Sequence, residues 1–260
     1  MALLPFRIWA CSLVLVASFA ALGGCQANAP SKAVVSIELP DTVSVDDRIA
    51  EILSQHKINT AGFAVIQNER VVWQKVFEDQ STGVPASDET LFNIASITKT
   101  VIAETVLRLA AAGRITLDGP MSDHWLDPDL VDDLRHMQLT PRHVLTHRTG
   151  FPNWRFFTDS GKLQFVSDPG QGFGYSGEGF NYLAKFVESK LDTPFEDLAR
   201  QNVLDPAGVS EAALSVNPKL FLRLAEALDA DDNFPGHYCR PDGWCREAGS
   251  FSAAGGMAIT

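Results

Sequence analysis

"FNIASITKT", residues 92–100, decides how this chain is read. It puts Ser96 three positions before Lys99, at the mouth of a long apolar run. The spacing alone decides nothing, since a Ser followed three later by a Lys turns up about once in a chain of this size at average composition. Ser54 and Lys57 in "SQHK" repeat it and serve as an internal control. Helical geometry separates the two pairs, because positions three and four apart share a face. The run "SITKTVIAETVLRLAAAG" (96–113) predicts a helix stopped by Gly113. The face carrying Ser96 continues through Lys99, Ala103, Leu107 and Ala110 and is expected to be buried, while Glu104 and Arg108 lie opposite, spaced for an ion pair. Ser54 and Lys57 fall instead in the last turn of a separate helix, "SVDDRIAEILSQHK" (44–57), at an exposed end.

A lysine turned toward an apolar core carries a chemical implication. Its ammonium is costly there unless it finds a partner or loses its proton. An ordinary lysine is protonated at neutral pH and is no base, but desolvation and the positive end of the helix dipole both favour the free amine. A hydroxyl one turn away can then hand over its proton and attack a carbonyl, with the unpaired N–H groups of the helix start facing the oxyanion.

The rest of the chain bounds what surrounds this pair. Its 260 residues are 45% hydrophobic and 20% charged, enough for one large or two small domains with a real core. A net charge of −11 argues against a nucleic-acid partner, which calls for clustered Lys and Arg. The opening "MALLPFRIWACSLVLVASFAALGGCQ" has one positive charge, Arg7, an apolar run from Ile8 to Leu22, small residues and then Cys25. It reads as a secretory signal peptide rather than a spanning helix.

Two of the four cysteines, Cys239 and Cys245, enclose Pro and Gly in "CRPDGWC". In an oxidising compartment that spacing suits a small disulfide loop; two free thiols are the alternative. A metal site is disfavoured, since His237 is the only nearby histidine.

"AGFAVIQNERVVWQKVF" (61–77) reads as two strands joined at Gln67 to Arg70. Further helices are expected at 120–137, 140–146, 178–190, 194–203 and 217–229. Strands in front and helices behind give an α+β class.

"FNIASITKT" resembles the Ser-x-x-Lys motif of penicillin-binding proteins and serine β-lactamases. "GRITLDGPMSDHWLDPDL" (113–130) and "LTPRHVLTHRTGFPNW" (139–154) are similar to the segments that follow this helix in class C β-lactamases and their esterase and peptidase relatives. "DPGQGFGYSGEGFNYLAKFVE" (168–188) is similar to the family's Pro-Gly, its Tyr-Ser-Asn motif and the next helix, and "SAAGGMAIT" (252–260) resembles its late "AGG" turn. These matches fall in one order from about residue 45 to residue 260.

The resemblance implies a β-lactamase/transpeptidase-like fold over 44–260, an antiparallel sheet flanked by helices with a helical subdomain, and no cofactor. It implies Ser96 as nucleophile, Lys99 as its base and Tyr175 as proton relay, acting through an acyl-enzyme on an ester, a β-lactam or a cell-wall peptide. Of three tyrosines, Tyr182 lies inside a helical run and Tyr238 in the cysteine loop, whereas Tyr175 follows a flexible "PGQGFG". "LGGC" resembles a bacterial lipobox, which implies cleavage after residue 24, lipidation of Cys25, a tether over 25–43 and a place in the periplasm, anchored to the membrane, most readily the outer one. A plain cleaved signal is the alternative.

The pattern departs from the family in two places. Gly177 replaces the Asn of the second motif, which is understood to contact a substrate's amide side chain; its loss favours ester or other amide substrates over β-lactams. The third motif, Lys-Thr-Gly or His-x-Gly on a strand after "AGG", is absent from these residues, and "RTG" at 148–150 comes too early to replace it. With it go a second oxyanion donor and the strands expected to pair with the N-terminal hairpin, so the chain reads as C-terminally incomplete. A non-catalytic cell-wall binder or β-lactam sensor is the competing expectation. "GYSGE" lacks the last Gly of Gly-x-Ser-x-Gly, His143 and His147 lack the Glu of a zinc helix, and Asp118 is expected to cap or turn the chain.

Overall fold

The computed structural model describes residues 44–78, 86–229, 231, 233–240 and 242–260. The expected signal peptide (1–24), Cys25 and the tether (25–43) lie outside the described residues. Helix α1 (Val45–Gln55) opens the domain, with Asp46 and Asp47 in its first turn where the helix dipole favours them. Strands β1 (Thr60–Gln67) and β2 (Arg70–Glu78) form an antiparallel hairpin. Asn68 and Glu69 take positive φ at its tip, the conformation a two-residue turn requires. The short strand β3 (Phe92–Asn93) leads to α2 (Thr98–Ala111). Then come α3 (Pro141–Leu145), α4 (Gly177–Leu191), α5 (Phe195–Ala199) with a π turn at Arg200–Leu204, and strands β4 (Ala212–Ala213) and β5 (Ala258–Ile259). A second antiparallel sheet runs in the order β3–β5–β4. The architecture is α+β.

The core lies among α2, α4 and α5. Ile102, Val106 and Leu109 of α2 are fully buried against Leu183 and Val187 of α4 and Phe195 and Leu198 of α5. Burying one such side chain stabilises by about 1.5–3 kcal/mol, so this stripe fixes the rotation of α2 about its own axis. The hairpin contributes little: Phe63, Val65, Ile66, Val71 and Val72 stand in solvent. A cleft of about 540 Å³, lined by Phe63, Val76, Phe92, Ile94 and Ile259, separates it from the second sheet.

Three expectations need correction. The buried face of α2 runs through Lys99, Ile102, Val106 and Leu109; Leu107 is 45% exposed, and Ala103 and Ala110 are only half-buried. The helix expected at 120–137 is instead three 3₁₀ turns, Met121–Asp123, Pro128–Leu130 and Leu134–Gln138. Pro128 has no N–H to extend a helix through, and Asp127 and Asp133 each cap a fresh turn by accepting from the N–H two residues on. The helix expected at 217–229 shrinks to one 3₁₀ segment, Pro218–Arg223, capped by Asn217.

Candidate active site

Ser96 sits in a 3₁₀ turn (Ala95–Ile97) that runs directly into α2. The preceding Ala95 has φ +44°, a region that costs an L-residue about 1–2 kcal/mol, and its N–H donates to Asn93 Oδ1 at 2.9 Å. This bend presents Ser96 at the surface while Lys99, three residues on, is 7% exposed. Lys99 Nζ donates to Ser96 Oγ at 3.1 Å and to the carbonyl oxygen of Ala254 at 2.5 Å. It also stands 4.8 Å from the centre of the Tyr175 ring and 5.6 Å from that of Phe180. Ser96, Lys99 and Tyr175 therefore meet in one place. The control pair does not match this: Ser54 and Lys57 are both exposed.

Tyr175 lies just ahead of α4, held by the cap of that helix. Ser176 Oγ accepts from Gly179 N at 3.0 Å and donates to the Pro152 carbonyl at 2.8 Å. Burial alone would raise the phenol. Hydrogen bonding with Lys99 and Ser96, with the positive charge of Lys99, outweighs that and holds Tyr175 below the usual 10. The other two tyrosines differ. Tyr182 is buried, donates to the Trp125 carbonyl at 3.0 Å and is pushed up to about 12, chiefly by burial. Tyr238 is raised by burial.

His147 supports Tyr175 from behind. Its ring stacks on the phenol at 4.4 Å between centroids, and its Nδ1 accepts from Ser176 N at 3.2 Å. That acceptor role makes Nε2 the protonated nitrogen of the neutral ring. Burial first, then the charge of Lys99, pull His147 below the ordinary 6.5. His143 stands apart from this cluster and completes a capping box with Thr140 at the start of α3.

The turn 252–257 closes the floor. Asn181 Oδ1 accepts from Ala254 N at 3.3 Å, Thr98 Oγ1 accepts from Met257 N at 3.1 Å, and Met257 O accepts from Ile94 N at 3.0 Å. "RTG" at 148–150 is a packed turn: Thr149 is buried with Oγ1 accepting from Phe151 N, and Gly150 has φ +78° with room for no Cβ against the Ser167 carbonyl. Asp118 pairs with Arg142 at 2.6 Å, a surface tie. Cys239 and Cys245 form a disulfide.

Three participants left no signal that sequence reasoning used. Ala254 acts through its backbone, Asn181 by reaching from α4 to the 252–257 turn, and Trp154 by packing on Gly177.

A family model described as Beta-lactamase matches residues 45–260. The chain belongs to the β-lactamase family. It is 32% identical over 109 residues to esterase EstB of Burkholderia gladioli, covering 40% of this chain and 27% of the esterase. It is 26% identical over 196 residues to a β-lactamase of Pseudomonas fluorescens, covering 71% of this chain and 54% of that protein. In fold it is similar to the octameric penicillin-binding protein homologue from Pyrococcus abyssi, with a TM-score of 0.63 and 22% identity over 83% of this chain and 52% of that one. The chain thus spans about half or less of the length of these relatives.

Proposed function

We propose that this chain carries the nucleophile, base and proton relay of a serine hydrolase that works through an acyl-enzyme on an ester substrate. One observation supports this above the others: the Lys99 amine is withdrawn from water with the Ser96 hydroxyl at 3.1 Å. The amine is thereby held within proton-transfer distance of the hydroxyl it would activate. In the first step Ser96 Oγ–H gives its proton to Lys99 Nζ as Oγ bonds to the substrate carbonyl carbon. As the tetrahedral adduct collapses, the bond to the leaving oxygen breaks and Tyr175 protonates it, regaining a proton from Lys99. Water then attacks the acyl-serine ester along the reverse proton path and frees Ser96. The N–H groups of Ile97 and Thr98, at the entry to α2, already donate to the carbonyls of Ile94 and Ala95, so they are not the oxyanion donors that the helix start was expected to supply.

Esters are favoured over β-lactams because Gly177 offers no side-chain amide to a substrate. A fluorophosphonate probe tests the reading: it should label the full chain, and Ser96→Ala should abolish labelling. A p-nitrophenyl ester should be turned over faster than a chromogenic cephalosporin. A chain that retains labelled penicillin without covalent attachment at Ser96 is a binder or sensor instead.

The same proposal puts the chain at a periplasmic membrane surface through Cys25, supported by the apolar run and "LGGC" that precede it. Incorporation of a fatty-acid probe, lost in Cys25→Ser, tests that part.

A further inference from the structure

Gly177 and Trp154 interlock. A Cβ at 177 would lie 2.6 Å from Cη2 of the Trp154 indole and 2.8 Å from both Cζ2 and Cζ3, far inside contact distance. The ring has little freedom to yield. It stacks on Phe156 at 5.9 Å with the planes 10° apart, and Asn153 beside it binds Gly177 N through both its carbonyl and Oδ1, at 3.0 and 2.9 Å. On its other side Arg155 is clamped by Asp127, Asp129 and Glu178. The indole thus fills the space into which a side chain at 177 would project, two residues from Tyr175.

The surface continues outward from the indole. The Arg240 guanidinium stands 5.7 Å from the Phe156 ring and 4.9 Å from that of Trp244, so the disulfide loop reaches across to the 154–157 segment. Asp242 meets the Arg240 charge at 3.1 Å. Phe156 is 56% and Trp244 53% exposed. The result is a charge-balanced aromatic shelf whose inner end, the Trp154 indole, packs on Gly177, two residues along the chain from Tyr175. Aromatic faces reward flat partners that stack or meet them edge-on.

We propose that Trp154, seated in the space left by Gly177, is the residue that determines acyl-group specificity, selecting esters whose acyl group carries a neutral planar ring. This rests on the serine-hydrolase reading of Ser96. The full chain and its Trp154→Ala, Trp154→Leu, Gly177→Asn and W154A/G177N variants are compared on p-nitrophenyl phenylacetate and p-nitrophenyl acetate, with fluorophosphonate labelling scored for each. The phenylacetyl ester should be preferred in kcat/KM, and the ratio should fall about tenfold in Trp154→Ala. Trp154→Leu, which keeps apolar bulk without a ring, should lose the preference as well and covers the case in which alanine unfolds the chain. Gly177→Asn alone should displace the indole and depress the ratio and the labelling together; the double variant, with the room vacated, should recover the labelling. A ratio unmoved by losing the ring, in variants that still label, overturns the role of Trp154. Absence of labelling in the parent chain overturns the hydrolase reading instead, and the specificity proposal with it.

Discussion

Lys99 donates a hydrogen bond to the carbonyl oxygen of Ala254, 155 positions further along the chain, at 2.5 Å. The amine is therefore aimed at Ser96 by a turn that contributes backbone alone. Gly256 holds that turn in place: a Cβ there would meet the carbonyls of Leu214 and Ser252 at 2.8 Å. Gly256→Ala should destabilise the fold by about 1–3 kcal/mol. It should also slow fluorophosphonate labelling of Ser96 about tenfold or more, because a small displacement of a catalytic group is amplified in rate. A variant that melts lower but labels at the parent rate would show that Ala254 does not direct the amine.

Acid should loosen this fold through its half-buried histidines. His143, His147 and His237 are all held below the ordinary 6.5, each chiefly by burial. The unfolded chain therefore takes up protons before the folded one, and stability falls as pH drops from about 6.5 down through the folded values. His147→Asn removes one contributor. Asn tolerates the φ of +53° at this position and can offer an oxygen to Ser176 N in place of Nδ1. The plot of melting temperature against pH should be shallower below about 6.5 for this variant. An identical slope would mean that His147 titrates alike in both states.

Arg155 bridges three carboxylates, at 2.9 Å to Asp127, 3.1 Å to Asp129 and 2.9 Å to Glu178. Arg155→Met would leave three like charges together, two of them largely buried. The loss should be about 2–3 kcal/mol, reduced from the fully buried case because the guanidinium is partly open to solvent. Chemical denaturation measures it. A cost below about 1 kcal/mol would show that the carboxylates spread apart or protonate.

Replacing both Cys239 and Cys245 by Ser should cost about 2 kcal/mol, since the closed loop is short. Reductant should destabilise the parent chain to chemical denaturant by a similar free energy and leave the double variant unmoved. A reductant effect on the double variant would place the sensitivity elsewhere.

The inward turn of Lys99 is legible in the sequence because an apolar stripe at helical spacing announces a buried face. Its phase is not, because Ser96 belongs to a tighter turn, ahead of the first α-helical residue, Thr98. Stepping by three and then twice by four from Ser96 leads to Leu107, whereas the core follows Ile102, Val106 and Leu109. The stretch from 120 to 137 has helix-like apolar spacing, yet its aspartates satisfy the backbone locally and break it into single turns. The partnership of Gly177 and Trp154 spans 23 positions. It depends on shape, to which no periodic pattern refers.

The site joins residues 93–99, 175–181 and 252–257, three pieces that meet only when the chain has closed on itself over separations of 73 and 155 positions. Long loops close late in folding. Until the last of them docks, the amine stays hydrated and undirected, and Ser96 is an ordinary alcohol. On the proposed mechanism a nascent or half-assembled molecule would be chemically silent, and reactivity toward an electrophile would become a readout of completed assembly.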